Sequence, residues 1–391
     1  MLLAAVLLPV AVVAIVLVIE RLEVPAFLAI MFVVVAYGIS AAMTWQSIGR
    51  AFGLGFVAAL EQPGLLVVAG SLAGTLLLKQ PLPRAGVALA GAMAGLGGSP
   101  SAGLALLQPA GRAIALALTI LTVHGLLAPS PLAVAAAFVM KADLGTMAVL
   151  ALPATVIVLA AVWLLAARER MAGSLSWGWL AVVLPLALLI VQAVAQIPSE
   201  PLGKGGAREF YTGISKPLVL AVLAVALATA LSRRWQPQAL ADTRWASLLL
   251  AVGAAGGLSR VLDETGMAEL LAERVLDRPL ATHLGLLAPF LAAAIVKTMQ
   301  GNSLSAVLTA SGMVEPMLPA LGLDDATGRA LAAAAAGTGS IAICHFNDPF
   351  FWIAADMARL PPGRALRTIS LGSAAVAIAA LMLLAIARLL L

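Results

Sequence analysis

The chain has 391 residues, 62% of them apolar and 10% charged, with a mean hydropathy of +1.07. That composition cannot be packed as a soluble globule with a polar surface, so the fold class is all-α and polytopic in a membrane. The formal net charge is +5, but the basic residues stand singly or in twos and threes at the ends of apolar runs, without an aromatic-interleaved basic stripe. This argues against nucleic acid as a partner and for a role in topogenesis.

Apolar runs long enough to span, roughly 17 to 25 residues each, are predicted over residues 2–19, 24–43 and 53–78. The first lacks a basic leading segment and a clear cleavage site, so it reads as a retained spanning helix. The third contains EQPG, Glu61 to Gly64. Residues 86–111 are Gly-rich and too interrupted for a plain span; two half-helices meeting at Gly97 to Ser101 are predicted, a re-entrant hairpin. A broken helix follows over 113–141, interrupted at VHGLLAPSP (Val123 to Pro131), then a span over 143–166.

After a basic linker over 168–176 (Arg168, Arg170), the same order restarts. Spans are predicted at 177–197, 213–232 and 244–259, then an interfacial, charge-balanced segment from Arg260 to Arg278. A second hairpin over 281–312 has its tip at GNS, Gly301 to Ser303. A second broken helix over 329–357 is interrupted between Gly337 and Pro349, and a last span covers 366–388. Residues 1–167 and 177–391 thus read as two repeats of about five spans and one hairpin each, about ten spans in all. Because five is odd, the second repeat enters the membrane from the opposite side, the inverted-repeat plan of many transporters.

Charge asymmetry agrees with that count. With the linker cytoplasmic, Lys79, Arg84, Arg233, Arg234, Arg359, Arg364 and Arg367 all fall inside, and the exported loops, Pro198 to Thr212 and Val261 to Asp277, are balanced in charge. Both termini come out periplasmic.

Two polar interruptions in the second half mark the candidate site: KTMQGNSLSAVLTASG (Lys297 to Gly312) and GTGSIAICHFNDPFFW (Gly337 to Trp352). Hydrocarbon tolerates such breaks only where they are buried in protein or line a water-filled cavity. Tips rich in Gly, Ser and Asn bring backbone close to a ligand and aim half-helix N-termini at an anion, which suits a carboxylate. An isolated GxxxG such as GAMAG (Gly91 to Gly95) reads instead as helix packing. The substrate-binding candidates are Ser99, Ser101, Gly301, Asn302 and Ser303 at the tips, and His124, Gly125, Thr338, Ser340 and Asn347 in the broken helices. Asp348, His345 and His124 are the proton-coupling candidates, because imidazole titrates near neutral pH and a buried carboxylate is pushed toward it. For Asp348 the alternative is a salt bridge or a helix cap; for the histidines, an interhelical hydrogen bond. Glu61 and Lys297 also lie at membrane depth, Lys297 either attracting an anion or paired or snorkelling.

Enzyme motifs are missing. The chain has no G-x-S-x-G elbow, H-E-x-x-H, P-loop or dinucleotide fingerprint. Its single cysteine, Cys344, excludes an intramolecular disulfide and any multi-cysteine metal site. An intramembrane enzyme is a remote alternative to a transporter, and an exporter or channel on the same scaffold a nearer one.

At VHGLLAPSPLAVAAA (Val123 to Ala137), GAAGGLSRVLDETGMAELLA (Gly253 to Ala272), KTMQGNSLSAVLTASGMVEPML (Lys297 to Leu318) and GTGSIAICHFNDPFFWI (Gly337 to Ile353) the chain resembles the gluconate permease (GntP) family of the ion transporter superfamily. The family's S-H-x-N-D-x-x-F-W pattern stands here as CHFNDPFFW. The resemblance implies a proton-driven symporter of gluconate-like sugar acids in a bacterial-type inner membrane, with an inverted repeat, two hairpins, a homodimer and elevator-type movement. It implies no cofactor beyond the coupling ion, with sodium left open beside the proton. Two departures stand in the first repeat: Ser130 replaces a second histidine of the family's first break, and GGSPSAG (Gly97 to Gly103) replaces an acidic-aromatic hairpin sequence. Glycerate or D-serine fit the remaining polar groups as well as gluconate does.

Overall fold

The polar breaks read from the sequence fall between helices in the structure, a computed structural model that describes residues 2–61, 63–77, 83–110, 114–166, 176–197, 199–232, 244–266, 273, 276 and 284–391. All regular structure among these residues is helical. The first half contains α1 (Leu2–Leu22), α2 (Ala26–Ser40), α3 (Trp45–Glu61), α4 (Pro63–Leu77), α5 (Arg84–Leu96), α6 (Pro100–Leu106), α7 (Ile114–Leu126), α8 (Pro131–Val139) and α9 (Leu144–Leu165). The second contains α10 (Leu180–Ala195), α11 (Gly206–Ile214), α12 (Pro217–Ser232), α13 (Arg244–Asp263), α14 (Leu287–Gln300), α15 (Ser303–Val314), α16 (Ala326–Gly339), α17 (Pro349–Ala358) and, after one helical turn and a π-type turn, α18 (Leu371–Leu390). Lys79, Arg168, Arg170, Arg233, Arg234 and the first residues of the second hairpin lie outside the described residues.

Proline and small polar residues set the breaks. Pro63, Pro100, Pro131 and Pro349 each open a helix, where the missing N–H is no loss and the fixed φ suits the first turn. Ser99, Ser130, Asn302 and Asp348 cap α6, α8, α15 and α17 with their side chains.

Among the described residues, five helices are long and apolar enough to cross a membrane, or up to seven if each of two bent pairs is one span. This is fewer than the sequence count, for identifiable reasons. The run predicted at 53–78 is two helices, α3 and α4, bent by 45° at the EQPG step. The run at 213–232 gains α11, bent by 49° from α12, where a charge-balanced loop was predicted. α2 is 15 residues long, which is about 22 Å of helix against about 30 Å of hydrocarbon.

α9 and α18 run from one end of the bundle to the other, and their ends sort the loops. At one end Lys141 pairs with Glu315 at 2.8 Å, Arg329 donates to the Met140 carbonyl at 2.9 Å, and Arg388 pairs with Asp325 at 2.8 Å. At the other, Arg84 donates to the Trp163 carbonyl, and the Gly363 N–H donates to Glu20 at 2.6 Å. The Lys141 hydrogen bond holds the Glu315 carboxyl below the usual range, and Arg388 does the same for Asp325. Their contribution is therefore complete above the ordinary carboxylate pKa and is lost as pH falls through the lowered value.

α3 and α13 cross closely. A Cβ on Gly256 would come within 2.1 Å of the Ala59 Cβ and 2.5 Å of the Gly55 carbonyl oxygen, so the two backbones touch there. Gly253 and Gly257 make room for the rings of Phe56 and Phe52. A Gly256→Val variant is expected to lose about 1–3 kcal/mol or more through overpacking, read as a lower thermal midpoint in detergent. Gly53→Val, on the open side of α3 with nothing within 4 Å, should leave the midpoint nearly unchanged.

Candidate functional site

Both tips and both broken helices meet at one cavity of about 430 Å³. Five helix starts face it: Pro63 of α4, Pro100 of α6, Pro131 of α8, Ser303 of α15 and Pro349 of α17 all line its wall. Each start carries the positive end of a helix dipole, so together around one volume they favour negative charge. Asn302 Oδ1 caps α15 by accepting from Leu304 and Ser305 N–H at 2.9 and 3.1 Å. Ser130 Oγ accepts from Ala133 N–H at 3.2 Å and donates to the His124 carbonyl at 2.6 Å. Ser130 therefore braces the first break.

Asp348 is at once a cap and half of an ion pair. Its Oδ1 accepts from Phe350 N–H at 2.8 Å, and its Oδ2 lies 2.5 Å from Lys297 Nζ and accepts from Cys344 Sγ at 3.2 Å. The pair is nearly dry, the Lys297 side chain being 1% exposed and the Asp348 side chain 8%. Removing one member of such a pair typically costs about 3–5 kcal/mol, because the other charge is left uncompensated. Lys297 also donates to the Gly301 carbonyl at 2.7 Å. A Cβ on Gly301 would lie 2.2 Å from the Asn347 carbonyl oxygen, and φ there is +72°, so glycine alone lets the tip rest on the break.

The break between α16 and α17 is stitched by side chains. Ser373 Oγ accepts from Cys344 N–H at 3.0 Å, and Ser370 Oγ donates to the Cys344 carbonyl at 2.5 Å. Trp352 Nε1 donates to the Phe346 carbonyl at 2.9 Å while its ring stacks on Phe346. His345 Nε2 donates to the Thr298 carbonyl at 2.8 Å, and Asn347 Nδ2 to the Thr298 and Met299 carbonyls at 3.0 Å each. The break is thereby fastened to the last turn of α14.

Of the residues singled out from the sequence, Ser99, Ser101, His124, Gly301, Asn302, Ser303 and Asp348 line the cavity together. His124 Nδ1 donates to the Gly95 carbonyl at 2.9 Å. The others stand behind the wall. A Cβ on Gly125 would lie 2.9 Å from the Gly337 carbonyl oxygen, so this glycine serves the crossing of the two broken helices. Thr338 and Ser340 donate to the Ala335 and Gly337 carbonyls within their own turn, and His345 and Asn347 face α14.

Sequence reading missed the wall contributed by α13. Ser259 donates to the Gln300 carbonyl, Gln300 Nε2 donates to Asp263 at 2.7 Å, Ser305 donates to Gln300 Oε1 at 3.0 Å, and Arg260 pairs with Asp263 at 3.0 Å. All five line the cavity, as does Glu61 at the α3–α4 step. The signal was present only as a charged helix end in an interfacial segment, which periodicity cannot distinguish from a solvated cap.

The model of the GntP family permeases matches residues 165–390, more than half of the chain. The inner membrane permease YgbN of Escherichia coli is 30% identical over 201 residues, 48% of this chain and 41% of its own length. The low-affinity gluconate transporter of Escherichia coli is 37% identical over 109 residues, 27% of this chain and 23% of its own. A protein of Haemophilus influenzae described as an uncharacterized permease is 28% identical over 193 residues, 46% of this chain and 38% of its own. The chain thus spans less than half the length of these relatives. They are permeases and transporters, and together with the apolar helices they identify a multi-pass inner-membrane protein. The family match and the tip-and-break site it contains make this chain a member of the GntP permease family.

Proposed function

We propose that the chain is a secondary active transporter that carries a small hydroxylated carboxylate, of the gluconate or glycerate kind, together with protons. The observation that carries the reading is the convergence of five helix starts on one polar cavity of about 430 Å³, within the range typical of small-molecule sites. The gluconate transporters and permeases among its relatives support the substrate class.

In this reading Ser99, Ser101, Asn302, Ser303 and the Gly301 backbone hold the substrate's hydroxyls and carboxylate, with His124 in the same cavity wall. Gly125, Thr338, Ser340 and Asn347 shape the site from behind. Asp348 carries the proton, with His345 and His124 next in line. The matched order of α5–α6 with α14–α15 and of α7–α8 with α16–α17 supports an inverted repeat with re-entrant hairpins. The sorting of Lys141, Glu315 and Arg388 to one end and Arg84 and Gly363 to the other supports its antiparallel sense. Elevator-type movement of the tips and broken helices against α3 and α13, in a homodimer, completes the proposal.

Topology is tested by labelling. Cysteines at Ser232 and Arg364 should react only from the cytoplasm and one at Gly205 only from outside; Ser232 and Gly205 reporting the same side would discard the inverted repeat. Substrate contact is tested by Asn302→Ala, which removes both a donor-acceptor group and the α15 cap. Gluconate affinity should fall several-fold while the folded protein is retained, and an unchanged affinity would move the site elsewhere. Coupling is tested in proteoliposomes with Asp348→Asn. Substrate exchange should survive and proton-driven accumulation should be lost. Wild-type accumulation against a gradient also separates a transporter from a channel, which cannot concentrate its solute.

A further inference from the structure

Among the described residues the one arginine or lysine lining the cavity, Arg260, is engaged with Asp263 and Glu264. An anion therefore finds no ready cation in the wall, but one lies immediately behind it. Lys297 Nζ sits 2.5 Å from Asp348 Oδ2, and Asp348 is the side chain that separates it from the cavity. We propose that Lys297 is the anion-binding charge of the site and that Asp348 is its removable cover. The inference rests on the transporter reading and deepens it, naming the residue that receives the substrate carboxylate.

The geometry explains why the charge is hidden until a proton arrives. With Asp348 ionised, the pair is neutral overall, and its negative member is the one facing the cavity. An entering carboxylate then meets repulsion first. When Asp348 Oδ2 takes a proton from solvent, the positive charge of Lys297 is no longer cancelled, and an ammonium and a carboxylic O–H cannot both donate along the same line. The pair separates and Lys297 turns to the substrate carboxylate, which restores neutrality. One monoanion thus enters with one proton, and each favours binding of the other, as reciprocal linkage requires.

Glu61 of α3 lines the same cavity as Asp348, and the other titratable and charged groups around the pair have partners of their own. His124 on α7 donates to the Gly95 carbonyl and His345 to the Thr298 carbonyl. Cys344 donates to the same Asp348 oxygen at 3.2 Å. Arg260 and Asp263 on α13 pair with each other. None of them hydrogen-bonds the Lys297 ammonium, which reaches only Asp348 and the Gly301 carbonyl among the described residues. Because Gly301 is the tip of the hairpin, movement of Lys297 is felt directly where the substrate is held.

Gluconate binding to purified protein, measured calorimetrically between about pH 5.5 and pH 8, tests the proposal. Wild-type affinity should weaken with rising pH, approaching about tenfold per pH unit where Asp348 is ionised in the free protein. Asp348→Asn should bind with no pH dependence. The double variant K297M/D348N removes both charges and so folds even if a lone buried charge is not tolerated. It should bind gluconate at least tenfold more weakly than wild type at the low pH, while K297R/D348N recovers most of the affinity. A K297M/D348N protein that binds as tightly as wild type, or a D348N protein that keeps the wild-type slope, overturns the inference and leaves the transporter reading standing. Wild-type protein that binds no hydroxy acid at any pH removes both.

Discussion

Unpaired backbone in hydrocarbon is the constraint on which this structure turns. Each orphaned N–H or C=O away from water costs several kcal/mol, so a helix can be broken at membrane depth only where other groups take over its hydrogen bonds. The α16–α17 break meets this demand with Ser370, Ser373 and Trp352 on its own backbone, and with His345 and Asn347 tied back to α14. Asn347, a substrate-binding candidate, and His345, a proton-coupling candidate, thus both bond the last turn of α14. Only after those bonds are in place can Asp348 and the start of α17 stand at a cavity wall.

The same accounting governs the charges. A lysine and an aspartate that lie nine-tenths or more out of solvent are tolerable as a pair and costly singly. The pair also joins two elements that must move for transport in the proposed cycle: the hairpin through Lys297 and Gly301, and the broken helix through Asp348. A third element, α13, reaches the same tip through Ser259 and Asp263, both bonded to Gln300 of α14. The tip of the second hairpin is thus held from two sides by polar contacts, both of which face the cavity or lie directly behind it. The helix starts around the cavity add a favourable field for an anion without adding another buried charge.

The two halves of the chain are unequal in how they solve the same problem. The family match begins at residue 165 and so covers the second half. There the break carries a full set of stitching side chains and a buried ion pair. In the first half the break between α7 and α8 is shorter, from Leu126 to Pro131, and Ser130 alone both caps α8 and donates to the His124 carbonyl. The first hairpin is likewise reduced: α6 is seven residues long, with Ser99 as its cap. Arg260, Asp263 and Asp348 line the cavity from the second half, and the first half supplies Glu61, small hydroxyls and one histidine.

Composition and apolar run length by themselves determined that the chain is a helical membrane protein, because hydrocarbon leaves a chain few ways to satisfy its backbone. Proline and glycine placement located both breaks and both tips to within a few residues, since those residues act locally through φ and the missing N–H. Ser99, His124, Asn302 and Asp348, each singled out from the sequence, line one cavity. What the sequence left open was partnership. Whether Asp348 stands free, caps a helix or pairs with Lys297, 51 positions away, depends on how α14 packs on the break, and nothing local to either residue encodes that distance. The same holds for Asp263 reaching Gln300 and for Gly125 meeting Gly337. Those contacts join segments far apart in the chain, so only the tertiary packing decided them, and with them which polar residues face the cavity and which hold up its wall.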